Sequence, residues 1–144
     1  MARIALILVV GVTIGIGGLA LARSDAHPKD SGEQVKIIAS YDLKEKLDGK
    51  DAAVTMVEVT FDPGKGGFSH RHPGPAFVYV IEGTYELGID DQPTKIYKAG
   101  QTFQEPSGCL HRVSRNPDSS KKTRLIAVVL HPRSAKDILT PAEH

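Results

Sequence analysis

From Gln34 onward, residues that turn the backbone cut the chain into short apolar stretches. Asp62-Pro63-Gly64, Pro73-Gly74-Pro75, Glu82-Gly83, Asp90-Asp91-Gln92-Pro93, Ala99-Gly100, Pro106 and Asn116-Pro117-Asp118 leave little room for an ordinary helix. Between them apolar residues recur with a period near two, which places them on one face of an extended strand. The spacing predicts strands at 35–40, 53–61, 68–72, 77–81, 84–89, 95–97, 102–105, 110–114 and 124–131. Only 41–47 and 135–139 read as short helical candidates. So many short strands imply an all-β sandwich or barrel, and closing a sheet on itself removes its exposed edges. Phe68, Phe77, Tyr79 and Phe103 are the aromatic core candidates.

The N-terminus has a different character. After Met1-Ala2-Arg3 comes an apolar run over 4–22 that ends in Ala20-Leu21-Ala22. One positive charge, an apolar centre and small residues at the end are the layout of a secretory signal peptide. Cleavage is expected after Ala22, with Ala26 the next choice. The alternative is an uncleaved anchor, because the run approaches the roughly 17–25 residues that span a bilayer. Gly11, Gly15, Gly17 and Gly18 weaken it as a lasting helix and favour cleavage. A periplasmic or secreted domain is therefore expected, organised as signal segment 1–22, flexible leader 23–33, barrel 34–133 and tail 134–144.

Charge narrows the partners. Lys and Arg number 18 and Asp and Glu 17 over 144 residues. The densest basic spot, Lys121-Lys122-Thr123-Arg124, reads as a solvated turn before a strand. Nucleic-acid binding requires a clustered basic face, so that class is set aside, as is any membrane contact beyond an N-terminal anchor. Cys109 is the one cysteine, so no disulfide framework exists. It is expected as a small filler in a tight turn, with a thiolate ligand as the lesser reading.

Two stretches carry chemistry. The first, 64–83, reads GKGGFSHRHPGPAFVYVIEG. His70 and His72 stand two apart on a strand, so both imidazoles point to one side and can reach one metal ion. The second, 100–116, reads GQTFQEPSGCLHRVSRN and brings His111 from another strand. Three neutral nitrogen donors with open positions suit Fe, Mn, Ni, Cu or Zn. The glycines before His70 allow tight turns, and Pro73-Gly74-Pro75 stiffens the turn after His72.

These stretches resemble the two motifs of the cupin family. Gly64, His70, His72 and Gly83 fall in register with the first motif, and Gly100, Pro106, Gly108 and His111 with the second. Asn116 comes one residue late, with Arg115 in the asparagine's place. The resemblance implies a double-stranded β-helix, or jelly-roll, with a divalent metal inside the barrel, and in many members a homodimer.

One departure bears on function. The family's glutamate ligand would stand at position 76, and this chain has Ala76. Either three histidines hold the metal with water or substrate, or another side chain replaces the carboxylate. Glu105 is the candidate, because it shares strand parity with Phe103 and would face inward. A buried charge is normally paired or metal-bound, and a free Glu105 would serve as a general base. Gln104 has the opposite parity, Glu82 is expected in solvent at a hairpin, and His131 at the surface. Two functional readings stand: a dioxygenase-like or isomerase-like enzyme acting on a small molecule, and a module that binds metal or a small ligand without turnover. Fold alone does not choose between them.

Overall fold

The structure, a computed structural model, describes residues 32–142. The signal segment expected at 1–22 and most of the leader at 23–33 lie outside the described residues. Ten strands follow one another: β1 (Glu33–Leu47), β2 (Lys50–Phe61), β3 (His70–Arg71), β4 (Ala76–Glu82), β5 (Thr84–Ile89), β6 (Lys95–Lys98), β7 (Thr102–Glu105), β8 (His111–Arg115), β9 (Thr123–Pro132) and β10 (Thr140–Pro141). They form two five-stranded antiparallel sheets, in the orders β1-β2-β9-β4-β7 and β10-β3-β8-β5-β6. The punctuated pattern led to an all-β sandwich or barrel, and the fold is the jelly-roll that the family resemblance implies. Among the described residues no helix occurs, so both helical candidates are corrected.

The correction at 41–47 has a local cause. Asp48 and Gly49 both have positive φ, 50° and 74°, and join Leu47 to Lys50 as a two-residue hairpin. Such a turn matches the twist of paired strands and extends β1 to Leu47. At 135–139 the chain bends instead, and β10 then pairs antiparallel with β3.

The core lies between the sheets. Val57, Val59 and Phe61 of β2, Val78 and Val80 of β4, Tyr85 and Leu87 of β5, and Leu125 and Ala127 of β9 form one buried cluster, with Phe103 against it. Phe77 and Tyr79 are the opposite of the expectation, at 46 % and 48 % exposure. In β4 the inward positions are Ala76, Val78 and Val80, so strict alternation sends both rings outward.

A bulge rephases β8. Gly88 pairs with Val113, but Ile89 pairs with His111, leaving Arg112 as the extra residue. The Arg112 side chain donates to the Asp90 and Gln92 carbonyls at 3.1 Å. Because of this bulge both His111 and Ser114 are buried, although their spacing would place them on opposite faces of a regular strand.

Candidate metal centre

The three histidines converge from one sheet. His70 pairs with His111 across β3 and β8, and His72 follows in the turn after β3. One ring nitrogen from each lies within 4.8 Å of those of the other two. Ring centroids are 4.5 Å apart for His70 and His111, 4.9 Å for His72 and His111, and 5.0 Å for His70 and His72. The turn that aims His72 depends on a close approach: a Cβ at Gly74 would collide with the Leu130 carbonyl. The two motifs are also tied directly, since Gly108 N–H donates to the His72 carbonyl at 3.1 Å.

Hydrogen bonding fixes two of the rings. His70 Nδ1 donates to the Phe68 carbonyl at 2.8 Å, and His72 Nδ1 to the Ile138 carbonyl at 2.6 Å. A carbonyl only accepts, so each ring carries its proton on Nδ1 and keeps the Nε2 lone pair. His111 is 1 % exposed, and neither of its ring nitrogens makes a hydrogen bond among the described residues. Burial, reinforced by His70 and His72, holds its pKa down at about 2, and burial likewise lowers that of His72 against the opposing Ile138 contact. Both rings are therefore neutral donors at ordinary pH.

Glu105 completes the cluster. Its Oε2 stands 3.4 Å from His111 Nε2 and 3.6 Å from His72 Nε2, and the residue is 3 % exposed. Burial pushes its carboxyl up to about 8. The parity argument and the observed placement agree: Phe103 and Glu105 face in, while Gln104 is exposed. Ala76 is fully buried and is the cross-strand partner of Glu105 between β4 and β7. Directly opposed residues on one sheet face have Cβ atoms about 4.5–5.5 Å apart. The carboxylate absent from β4 thus has a counterpart one strand over on the same inner surface.

The donor set fits a transition metal. Donors bound at about 2.0–2.2 Å to one ion stand roughly 3–4 Å from each other, which is the spacing seen between Glu105 and two of the rings. The buried, unbonded Nε2 of His111, which faces Glu105, is an atom such an ion satisfies. Cys109 is outside the cluster. Its N–H donates to the Pro106 carbonyl at 3.3 Å, and burial pushes its thiol up to about 11, away from the thiolate a metal takes.

Residues 57–129 match the cupin-domain family. The chain is a cupin. A rice protein, germin-like protein 5-1 of Oryza sativa subsp. japonica, is 33 % identical over 81 residues, covering 52 % of this cupin and 37 % of the rice chain. This cupin thus spans little more than a third of that relative's length. Among solved structures, oxalate oxidase in complex with the substrate analogue glycolate superposes with a TM-score of 0.55 at 23 % identity, over 72 % of this chain and 52 % of that one. An uncharacterized protein with a double-stranded β-helix domain from Klebsiella pneumoniae subsp. pneumoniae MGH 78578 gives 0.56 at 20 % identity, over 81 % and 90 %. At these identities the likeness concerns the fold.

Three features of the cupin lay outside the sequence reading. The Ile138 carbonyl behind His72 belongs to the C-terminal stretch and is a backbone atom, which carries no residue signature. Ser114 enters through the Arg112 bulge. His131, expected at the surface, is 6 % exposed; its Nε2 lies 3.0 Å from Thr55 Oγ1 and its Nδ1 donates to the Pro132 carbonyl at 3.0 Å. Its parity with Leu125, Ala127 and Val129 was the available signal. The displaced Asn116 is fully buried and structural: its Nδ2 donates to the Asp62 and Lys121 carbonyls and its Oδ1 accepts from Asp118 N–H.

Proposed function

We propose that this cupin holds one divalent transition metal through His70, His72, His111 and Glu105 and presents it to a small oxygen-donor compound in the barrel. The observation that carries the reading is the meeting of three histidine nitrogens with a carboxylate supplied by the neighbour of Ala76. The Phe68 and Ile138 carbonyls orient His70 and His72, which keeps their Nε2 atoms available without a proton to remove. A bound metal supplies Lewis acidity and, for a redox-active ion, electrons to dioxygen. With four protein donors, an ion of higher coordination number would keep open positions for a chelating pair of oxygens. The reaction class proposed is oxidative cleavage or isomerisation of such a compound.

A second reading, binding without turnover, has its own support. Glu105 stands within 4 Å of both His72 and His111. Its use as a ligand removes Glu105 itself from proton transfer.

Metal analysis of the purified chain, of His72→Ala and of Glu105→Ala decides the site. The native chain should carry one ion, His72→Ala should lose it, and Glu105→Ala should bind it more weakly. A native chain that takes up none of Mn, Fe, Ni, Cu or Zn overturns the proposal. Unchanged affinity in Glu105→Ala removes Glu105 from the ligand set. Oxygen uptake with catechols or diketones then separates the enzyme from the binding module.

The same reading places the protein outside the cytoplasm, on the apolar run at 4–22. It gives the outer face of the first sheet, where Phe77, Tyr79 and Ile81 are exposed in a row, to a second copy of the chain. The mass of the mature protein and its sedimentation check both statements.

A further inference from the structure

The cavity at the histidines has a volume of ≈ 1250 Å³, and strand register maps its floor. Glu105 ends a cross-strand row on the inner face of the first sheet: Glu105, Ala76, Val129, Thr55 and Ser40. The row beside it on the same face is Phe103, Val78, Ala127, Val57 and Ile37. All five of these are apolar, and all five line the cavity. Val35, Val59 and Leu125 of the next row line it as well.

The strand order places the two ends of the Phe103–Ile37 row. β7, which carries Phe103 and Glu105, is one edge of the sheet, and β1, which carries Ile37, is the other. Four spacings of about 4.8 Å put these edges about 19 Å apart along the sheet. Exposure changes along the row: Val78 and Val57 are 4 % exposed, Ala127 7 % and Ile37 57 %. Ile37 pairs with Val57, which packs in the core, so Ile37 is an inward residue that the second sheet leaves uncovered. Val35, opposite the buried Val59, is exposed in the same way. The row is thus buried through its middle and open at β1.

The polar groups beside the row satisfy one another. Ser40 Oγ lies 3.0 Å from Thr55 Oγ1, and Thr55 Oγ1 3.0 Å from His131 Nε2. A charged group laid over the row would lose its water and gain no partner from it. A hydrocarbon group gains by covering Val35 and Ile37. Ile138, whose carbonyl holds His72, and Leu139 line the same cavity, so its apolar wall reaches the histidines.

We propose that the compound presented to the metal carries an apolar tail that lies along the Phe103–Ile37 row and leaves the barrel at β1. The ligand class is an amphiphile with chelating oxygens at one end and a hydrocarbon body at the other, not a small dicarboxylate. Only the chelating end rests on the metal-site reading. Val35 and Ile37 lie outside the 57–129 segment that matches the family, so the open end belongs to this chain's own first strand.

The test uses the metal-loaded full chain and 4-alkylcatechols with tails from methyl to octyl, each tail ending in a methyl or a carboxylate. Titration calorimetry should show the methyl-ended affinity rising about three- to fourfold per methylene, the worth of burying one, until the tail passes β1. The carboxylate-ended compounds should bind more weakly than their methyl-ended partners while the tip lies within the row. Ile37→Asn should lower the affinity for the octyl compound about three- to tenfold. Ala127→Leu, which fills the row at its middle, should remove the gain beyond the shortest tails. Ile37 stands at an exposed edge, so its variant still decides the matter if Ala127→Leu does not fold. Ile96→Asn, on β6 and outside the cavity lining, should keep the native length dependence, which separates the row from exposed apolar residues elsewhere. An affinity that does not rise with tail length, or a rise that both row variants keep, overturns the proposal. A flat dependence together with a dimer that Ile37→Asp dissociates would give the row to a second copy of the chain, and the proposal falls. If the native chain takes up no metal, the metal-site reading fails by itself. The same series on the metal-free chain then decides the row, with the same rise and the same loss in the variants required.

Discussion

The two sheets of this cupin are built differently. In the first, β2 and β9 pair without interruption from Ala52–Pro132 to Phe61–Thr123. In the second, β3 meets β8 at the single pair His70–His111, and meets β10 at two pairs. The first sheet, which has register shifts only outside this ladder, in β1–β2 and β4–β9, supplies most of the apolar cluster, and the second supplies all three histidines. Regular pairing makes a wall, whereas a short strand, a bulge and a proline-bounded turn let side chains leave the strict alternation and converge on a point. Glu105 bridges the two: it sits at the edge of the first sheet and reaches the histidines of the other.

The contrast is open to test, and the largest effect should come from the wall. Phe61 is 1 % exposed at the centre of the cluster. Phe61→Ala should lower the unfolding free energy by about 3–5 kcal/mol. Metal stoichiometry at temperatures where the variant stays folded should hold, and a loss of metal there would show that the wall and the site are not separable.

Next comes the C-terminal stretch, which adds β10 to the second sheet. Removing 134–144 takes away the Ile138 carbonyl that orients His72 and the β10 pairing with β3. Metal affinity, read by competition with a chelator, should fall about 10–100-fold, the range for losing a group that orients a ligand. An unchanged affinity would mean that the turn at Pro73-Gly74-Pro75 aims His72 alone.

The smallest effect is a pH dependence of the metal-free chain. Burial raises Glu105 from 4.5 to about 8, so the stability tied to its neutral form is complete below 4.5 and is lost as pH rises through 8. Glu33, raised to about 7, acts in the same direction. His72 and His111 are lowered from 6.5, so they act oppositely, and only below about 6.5. Between pH 6.5 and 8 the carboxyls act alone, and stability of the metal-free chain should fall by on the order of 1 kcal/mol. Saturating metal should flatten that slope, since a ligating Glu105 is already deprotonated. Melting curves across this window, with and without metal, provide the check.

What the sequence by itself determined follows from local rules. Turn residues and period-two alternation set the all-β class, and Thr84–Ile89 and Thr102–Glu105 form where the pattern puts them. The i, i+2 spacing put His70 and His72 together, and parity with Phe103 turned Glu105 inward. These are properties of one strand and need no partner. The tertiary structure decided whatever depends on a neighbour. It placed Glu105 across from Ala76, so that the carboxylate absent from one strand stands on the next. It sent Phe77 and Tyr79 outward, a choice between two equally apolar faces of β4 that only packing against the second sheet can make. It brought the Ile138 carbonyl behind His72 and, through the Arg112 bulge, Ser114 beside Tyr85. Strand register and backbone position lie between chain segments far apart in sequence, so the three histidines and an inward Glu105 were readable from their residues, while the pairing that sets Glu105 across from Ala76 was decided by the fold.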